Sequence, residues 1–327
     1  MKQWMGYQKG INLGGWFSQC DHSKERYESF IVKEDIADLA TWGIDHVRVP
    51  VDYNLVEDEQ GGYREEGFGY IQRILDWCGE YGLNMILDLH KTAGYSFDVG
   101  EQEEGFFTSQ EYQERFYRLW EEFAARFGKY KDRLAFELLN EVTDQSYGEV
   151  WNRISDTCIQ RIRALVPDID ILVGGYWNNN VRAVKDLAMP QDKHIIYNFH
   201  CYDPLVFTHQ GASWVAGMDP DFRFAYEQSY QVYYDTLDAV FGDSFGEMPK
   251  VDHLDRTFDS DFFRKIFEEA IQVAKERDVA LYCGEYGVID LAEPEDTVKW
   301  YQAIHTVFKE YGIGRAAWTY RDMAFGL

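Results

Sequence analysis

The run Leu134-Ala135-Phe136-Glu137-Leu138-Leu139-Asn140-Glu141 decides the fold. It is a short apolar stretch of strand length, and it ends on two polar residues. A helical pattern follows. Val150, Trp151, Ile154, Cys158, Ile162 and Leu165 recur at steps of three and four, and Pro167 stops the series. This unit of strand, polar tip and helix repeats along the chain. Strands are expected at residues 10–13, 44–51, 83–90, 134–141, 169–175, 194–202, 279–286 and 313–320. Helices are expected between them at 31–42, 70–81, 112–127, 150–165 and 297–308, the last closed by Gly312. Thr108 with Glu111 three residues on reads as the capping box of the 112–127 helix.

Eight strands in near-strict alternation with helices predict an α/β fold, a (β/α)8 TIM barrel. The strand tips near 200 and 286 lie 86 residues apart, where one barrel unit takes about 30–40. The surplus, near residues 204–259, is rich in Tyr, Phe, Trp and Asp and has no Ser/Gly/Pro run. It is expected to form a small helical subdomain inserted after strand six, within a single catalytic domain spanning 1–327. The sequence stops at Leu327, just past strand eight. An eighth helix is therefore expected to be missing. Either the seam between strands eight and one is covered otherwise, or a bare apolar face destabilises the barrel or promotes association.

Composition narrows the function. The 327 residues carry a formal net charge of −25 and a pI near 4.6. A phosphate-binding face needs clustered Lys and Arg, so nucleic acid is not an expected partner. No apolar run reaches the roughly 18 residues of a membrane helix, so no membrane association is expected. Aromatic residues make up 17% of the chain, which rules against disorder. The five cysteines (Cys20, Cys78, Cys158, Cys201, Cys283) form no CxxC pair and read as reduced, buried thiols. The first residues show no secretory signal. The expected location is cytoplasmic, or secreted where a signal has been removed, and the expected state is a monomer.

A barrel of this kind carries its active site at the C-terminal tips of its strands. The tips hold Arg48 (strand two), His90 (three), Asn140 and Glu141 (four), His200 and Tyr202 (six), Glu285 (seven) and Trp318 (eight). Strands four and seven face each other across the mouth, so Glu141 and Glu285 oppose. Facing carboxylates are what glycoside hydrolysis needs: one protonates the leaving oxygen, the other attacks or stabilises the oxocarbenium centre. A Trp floor stacks on the sugar's apolar face, and Asn and His reach its hydroxyls. Taken singly, each residue has a bland reading: a salt-bridged Glu, a core His, an Arg neutralising a barrel carboxylate, a core Trp. Only the set of them together points to this chemistry. His90, His200, Glu141 and Glu285 could also hold a zinc or manganese ion, but no HxH or HExxH spacing is present and Arg48 would oppose a cation. No metal and no cofactor are expected.

Four segments carry a specific likeness: Gly10-Ile-Asn-Leu-Gly-Gly-Trp16, Phe136-Glu-Leu-Leu-Asn-Glu141, Tyr197-Asn-Phe-His-Cys-Tyr202 and Leu281-Tyr-Cys-Gly-Glu-Tyr-Gly287. Together they resemble glycoside hydrolase family 5, the former cellulase family A, and within it the bacterial endoglucanase C type, over nearly the whole chain from Gly10 to Tyr320. The resemblance implies a retaining endo-β-glucanase acting on β-1,4 or mixed β-1,3/1,4 glucan. It implies Glu141 as acid/base and Glu285 as nucleophile. It also implies Asn140 as the residue bonding the sugar's 2-hydroxyl and Arg48 as the group that keeps the nucleophile ionised. His90, His200 and Tyr202 would form the supporting shell, with Tyr202 turned to the nucleophile, and Trp318 the stacking platform. Lys91 departs from the pattern, since close relatives often have a second histidine there, and this implies altered binding on the non-reducing side. A mannanase or β-1,3-glucanase of the same family is the rival reading. A carbohydrate-binding protein without catalysis is the reading from a different class, and the paired carboxylates argue against it.

Overall fold

The computed structural model describes residues 1–98, 100–101, 103–242 and 251–327. Strand β1 is Gly10–Asn12, followed by helices α1 (Lys24–Ser29) and α2 (Lys33–Thr41). Then come β2 (His46–Asp52), α3 (Tyr53–Val56), α4 (Glu65–Tyr81), β3 (Asn84–Lys91) and α5 (Gln110–Phe127). The middle of the chain holds β4 (Leu134–Glu137), α6 (Gly148–Leu165), β5 (Asp170–Val173), the four-residue turn α7 (Tyr176–Asn179) and β6 (Ile195–Cys201). The last third holds α8 (Leu205–Thr208), α9 (Tyr230–Phe241), α10 (Ser260–Glu276), β7 (Ala280–Tyr286), α11 (Pro294–Tyr311) and β8 (Gly314–Ala317). All strand pairs are parallel, and β8 returns to β1 to close an eight-stranded barrel. The (β/α)8 expectation holds.

The differences from the sequence reading have local causes. Helix α4 starts five residues before the expected Tyr70, because Gly67 lets the helix lie against the Leu55 carbonyl, which a Cβ there would meet at 2.0 Å. The N-cap of α5 is Ser109, whose hydroxyl accepts from the Tyr112 amide, not Thr108. Strand β4 ends at Glu137, four residues short of expectation. Residues 138–141 still hang on the barrel through Leu138 N to Leu172 O (3.3 Å) and Asn140 N to Leu89 O (3.1 Å). Of the segment expected as an insert, residues 243–250 lie outside the described residues. The rest contributes the short α8 and the twelve-residue α9. Its aromatic side chains Tyr226, Tyr230, Tyr233 and Phe258 pack on one another and on Phe262 of α10.

Two ends of the barrel need closing. At the N-terminal end, Trp4 stacks on Tyr7 (3.9 Å between centroids) and meets the edge of Tyr282. These rings plug the barrel floor against Ile86, Leu172 and Ile196. At the β8–β1 seam, no helix follows β8 among the described residues. Of the two alternatives expected there, the described residues cover the seam otherwise. Ile11, Ile313 and Ala317 are buried. Arg315 donates to the Gln8 carbonyl (2.8 Å). Beyond β8 the chain turns onto α2, where Tyr320 and Arg321 both donate to Asp35. Among the described residues no helix is long and apolar enough to cross a membrane.

Candidate active site

The strand alternation turns side chains two residues apart to one face. Asn12, Arg48, Asp88, His90, Glu137, Asn198, His200 and Glu285 are thereby brought to the upper interior, all buried. Arg48 organises them. It is fully buried and grips Glu137 with two parallel bonds, Nε to Oε2 (2.7 Å) and Nη2 to Oε1 (2.8 Å). Nη1 donates to Glu285 Oε1 (2.8 Å) and Asn12 Oδ1 (2.9 Å), and Nη2 to Asn140 Oδ1 (2.7 Å). Asp88 Oδ2 lies 3.0 Å from Nη2. One guanidinium thus serves three carboxylates, which only a planar five-donor fork can do.

The two expected carboxylates meet across the mouth. Tyr202 donates its hydroxyl to Glu285 Oε2 (2.9 Å). His200 Nδ1 lies 2.7 Å from Glu141 Oε1 and 3.7 Å from Glu285 Oε2, so it sits between them. An oxygen of Glu141, a nitrogen of His200 and an oxygen of Glu285 all fall within 4.8 Å of one another. The second Glu141 oxygen accepts from Asn178 Nδ2 (2.8 Å). Trp318 stacks parallel to His90 (5.7 Å, 3°), and the Phe97 ring meets the same His90 edge-on. Gly14 makes room for this platform: a Cβ there would lie 2.9 Å from the Trp318 ring. All eight expected site residues therefore converge. Asn140 Nδ2 and His200 Nε2 are buried with no hydrogen-bond partner in the protein, and His200 Nε2 lies on the Gly284 side, where a Cβ would meet it at 3.1 Å. The Glu141–His200–Glu285 trio could also reach a common ion, but its oxygens already take bonds from Arg48, Tyr202, His200 and Asn178, a donor set built for anions.

Electrostatics split the carboxylates. Burial pushes Glu285 up, but the opposing pull of His200, Arg48 and His90 and the Tyr202 hydrogen bond holds it below the ordinary range. Burial pushes Glu137 up to about 7 despite Arg48, because that cation is shared. Burial lowers His90, yet the charge and hydrogen bond of Asp88 win and raise it to about 9. Burial likewise works against protonation of His200, and Glu285 and Glu141 overcome it.

These shifts make stability depend on pH. His90 and His22 are both raised to about 9, His22 chiefly by its hydrogen bond to Asp52. Unfolded, a histidine releases its proton near 6.5. Between about 6.5 and 9 the native protein holds protons that the unfolded chain has lost, so stability falls as pH rises through this window. The melting temperature is expected to drop between pH 6.5 and 9, and to drop less in a His22→Gln variant. A flat profile over that range would contradict the charged assignment.

The family model for cellulase, glycosyl hydrolase family 5, matches residues 7–324. The chain belongs to glycosyl hydrolase family 5. As a family 5 member it is a glycoside hydrolase. It is 47% identical over 310 residues to cellodextrinase A of Ruminococcus flavefaciens, covering 95% of this chain and 84% of that one. It is 35% identical over 328 residues to endoglucanase C of Acetivibrio thermocellus, covering 98% and 93%. Among solved structures, the endoglucanase Cel5A from the hyperthermophilic Thermotoga maritima superposes with a TM-score of 0.76 at 22% identity, covering 98% and 92%. That last likeness concerns the family 5 fold.

Several residues that the structure places beside this cluster are not among those expected from the sequence. Asp88 was within reach, since it stands two residues before His90 and must share its face. Glu137 is a charge inside an apolar strand, a signal of an internal ion pair. Asn12 and Asn198 carry the same signal more weakly. Asn178 carried none, because its place depends on an irregular turn.

Proposed function

We propose that the protein is a retaining endo-β-glucanase that hydrolyses β-1,4 or mixed β-1,3/1,4 glucosidic bonds. Glu285 is the nucleophile and Glu141 the acid/base. One observation supports this most: the carboxyl oxygens of the two residues come within 4.8 Å. A retaining pair stands about 5–5.5 Å apart, whereas inversion needs about 6.5–9.5 Å to admit a water. Glu285, held ionised by Arg48, attacks the anomeric carbon while Glu141 protonates the departing oxygen. The covalent bond cancels the charge of Glu285. Glu141, now a base, takes a proton from water, and the water releases the sugar with its configuration kept. Asn140 bonds the sugar's 2-hydroxyl, His200 supports the two carboxylates, and Trp318 carries the sugar's apolar face. Trp318→Ala is expected to lower kcat/KM about 10- to 100-fold, the loss of one stacked platform worth about 1–3 kcal/mol. A purely structural Trp318 would lower the melting temperature and spare kcat/KM.

Substrate length is the finer question. The loop after β3 is tied down on one side of the mouth by Lys91–Glu101 (2.7 Å), Gln19–Asp98 (2.9 Å) and Tyr53–Glu103 (2.7 Å). It presses Phe97 against His90. A wall there limits the sugars accommodated and favours short cellodextrins over polymer, in keeping with the 47% identical cellodextrinase A. The test is reducing-sugar release from cellodextrins, barley mixed-linkage glucan, carboxymethyl cellulose, glucomannan and laminarin, with Glu285→Gln as control. Release from the glucose-based β-1,4 substrates, fastest on cellodextrins and absent in the variant, is expected. Activity confined to glucomannan or laminarin would overturn the substrate reading. Binding without release would overturn the catalytic one.

A further inference from the structure

The turn after β5 is built against backbone preference. Trp177, Asn178 and Asn179 have φ of 55°, 54° and 57°, three consecutive left-handed residues with no glycine among them. The cost falls chiefly on Trp177, roughly 1–2 kcal/mol, since asparagine visits this region more readily. Such strain persists only where its surroundings fix it, and it gathers at working sites. Here the ties are visible. The Asn178 amide donates to the Val142 carbonyl (3.0 Å), and the buried Asn179 side chain accepts from the Gly175 amide (3.0 Å). The turn brings the Asn178 side chain to Glu141, where Nδ2 donates to Oε2 at 2.8 Å. Asn178 thus holds residues 141 and 142 by two separate bonds.

We infer that Asn178 is a positioning residue for Glu141, fixing the orientation of its carboxyl from the exposed side of the turn. The inference rests on the acid/base reading of Glu141. The other groups facing that carboxyl come from different elements. His200 of β6 bonds Oε1. Glu285 of β7 approaches it as a like charge. Tyr202, just after β6, bonds Glu285, and Tyr95 of the loop after β3 donates to the Glu141 backbone carbonyl (2.8 Å). His200 and Asn178 thus hold the two carboxyl oxygens from opposite elements, Oε1 and Oε2 respectively. A residue that must give a proton to one oxygen and take one from another needs its carboxyl held in a single orientation.

Two variants test this. Asn178→Gly removes the amide while accepting the left-handed backbone without strain. Asn178→Asp keeps a residue that tolerates this backbone but replaces the donor with a like charge. Both are expected to melt close to the parent. On cellotetraose kcat is expected to fall about 10-fold in the Gly variant with KM little changed, and further in the Asp variant. An unchanged kcat in both would overturn the inference, whether Asn178 serves only the backbone or only touches the leaving sugar, in which case KM alone would rise. Glu141→Gln separates the two levels. If it keeps parental kcat/KM, the acid/base reading fails. If it loses activity while the Asn178 variants keep the parental kcat, the positioning role alone fails.

Discussion

Glu285→Gln is expected to lose about four to six orders of magnitude in kcat on every substrate the parent cleaves. The amide nitrogen and oxygen cannot attack the anomeric centre, and no neighbouring group takes over. Glu141 sits on the opposite side of the bond to be cut. Glu137 is buried and locked in both Arg48 bonds. The fold should survive the change. Arg48 keeps its paired bonds to Glu137 and its contact with Asp88, so no cation is stranded. The melting temperature should stay within a few degrees of the parent. Circular dichroism and thermal melts alongside single-turnover kinetics check both halves. Near-parental turnover in a folded variant would remove Glu285 from the chemistry. A folded variant that binds cellotetraose but does not cut it is the expected outcome.

Arg48→Met is expected to injure both fold and catalysis. It leaves Glu137, Asp88 and Glu285 together with their shared cation gone, all in a dry interior. Breaking one buried pair by deleting a partner costs about 3–5 kcal/mol, and three carboxylates depend on this one. A fall in melting temperature on the order of 10 °C follows. Activity should fall as well, because Glu285 loses a group that keeps it charged. Adding Glu137→Gln removes one of the stranded carboxylates. The double variant should recover part of the lost stability and little activity. Additive losses in the double variant would mean that Arg48 and Glu137 do not depend on each other.

Much of this was legible in the chain. Each strand is a short apolar run with a polar tip, and each long helix shows its apolar face at three- and four-residue steps. That periodicity survives any packing detail, so eight strands could be placed within a few residues. The site residues were legible for a related reason: a charged residue at the tip of an apolar strand has one place to go in a barrel. Three things were not legible. The end of β4 at Glu137 depends on where neighbouring strands stop pairing, which no local signal reports. The covering of the β8–β1 seam depends on Tyr320 and Arg321 reaching Asp35, a contact between residues far apart in sequence. The turn at Trp177, Asn178 and Asn179 holds a tryptophan in the left-handed region against its propensity, and only tertiary contacts reveal that. In each case the missing information is long-range.

The central claim is a covalent intermediate on Glu285, and trapping it is the direct test. A 2-deoxy-2-fluoro cellobioside with a good leaving group slows both steps, and the second more, so the glycosyl-enzyme accumulates. Incubated with the protein and analysed by peptide mass spectrometry, it should add one fluorocellobiosyl group, located on Glu285. No label on an enzyme that turns over the parent substrate, or a label on any other residue, would contradict the account.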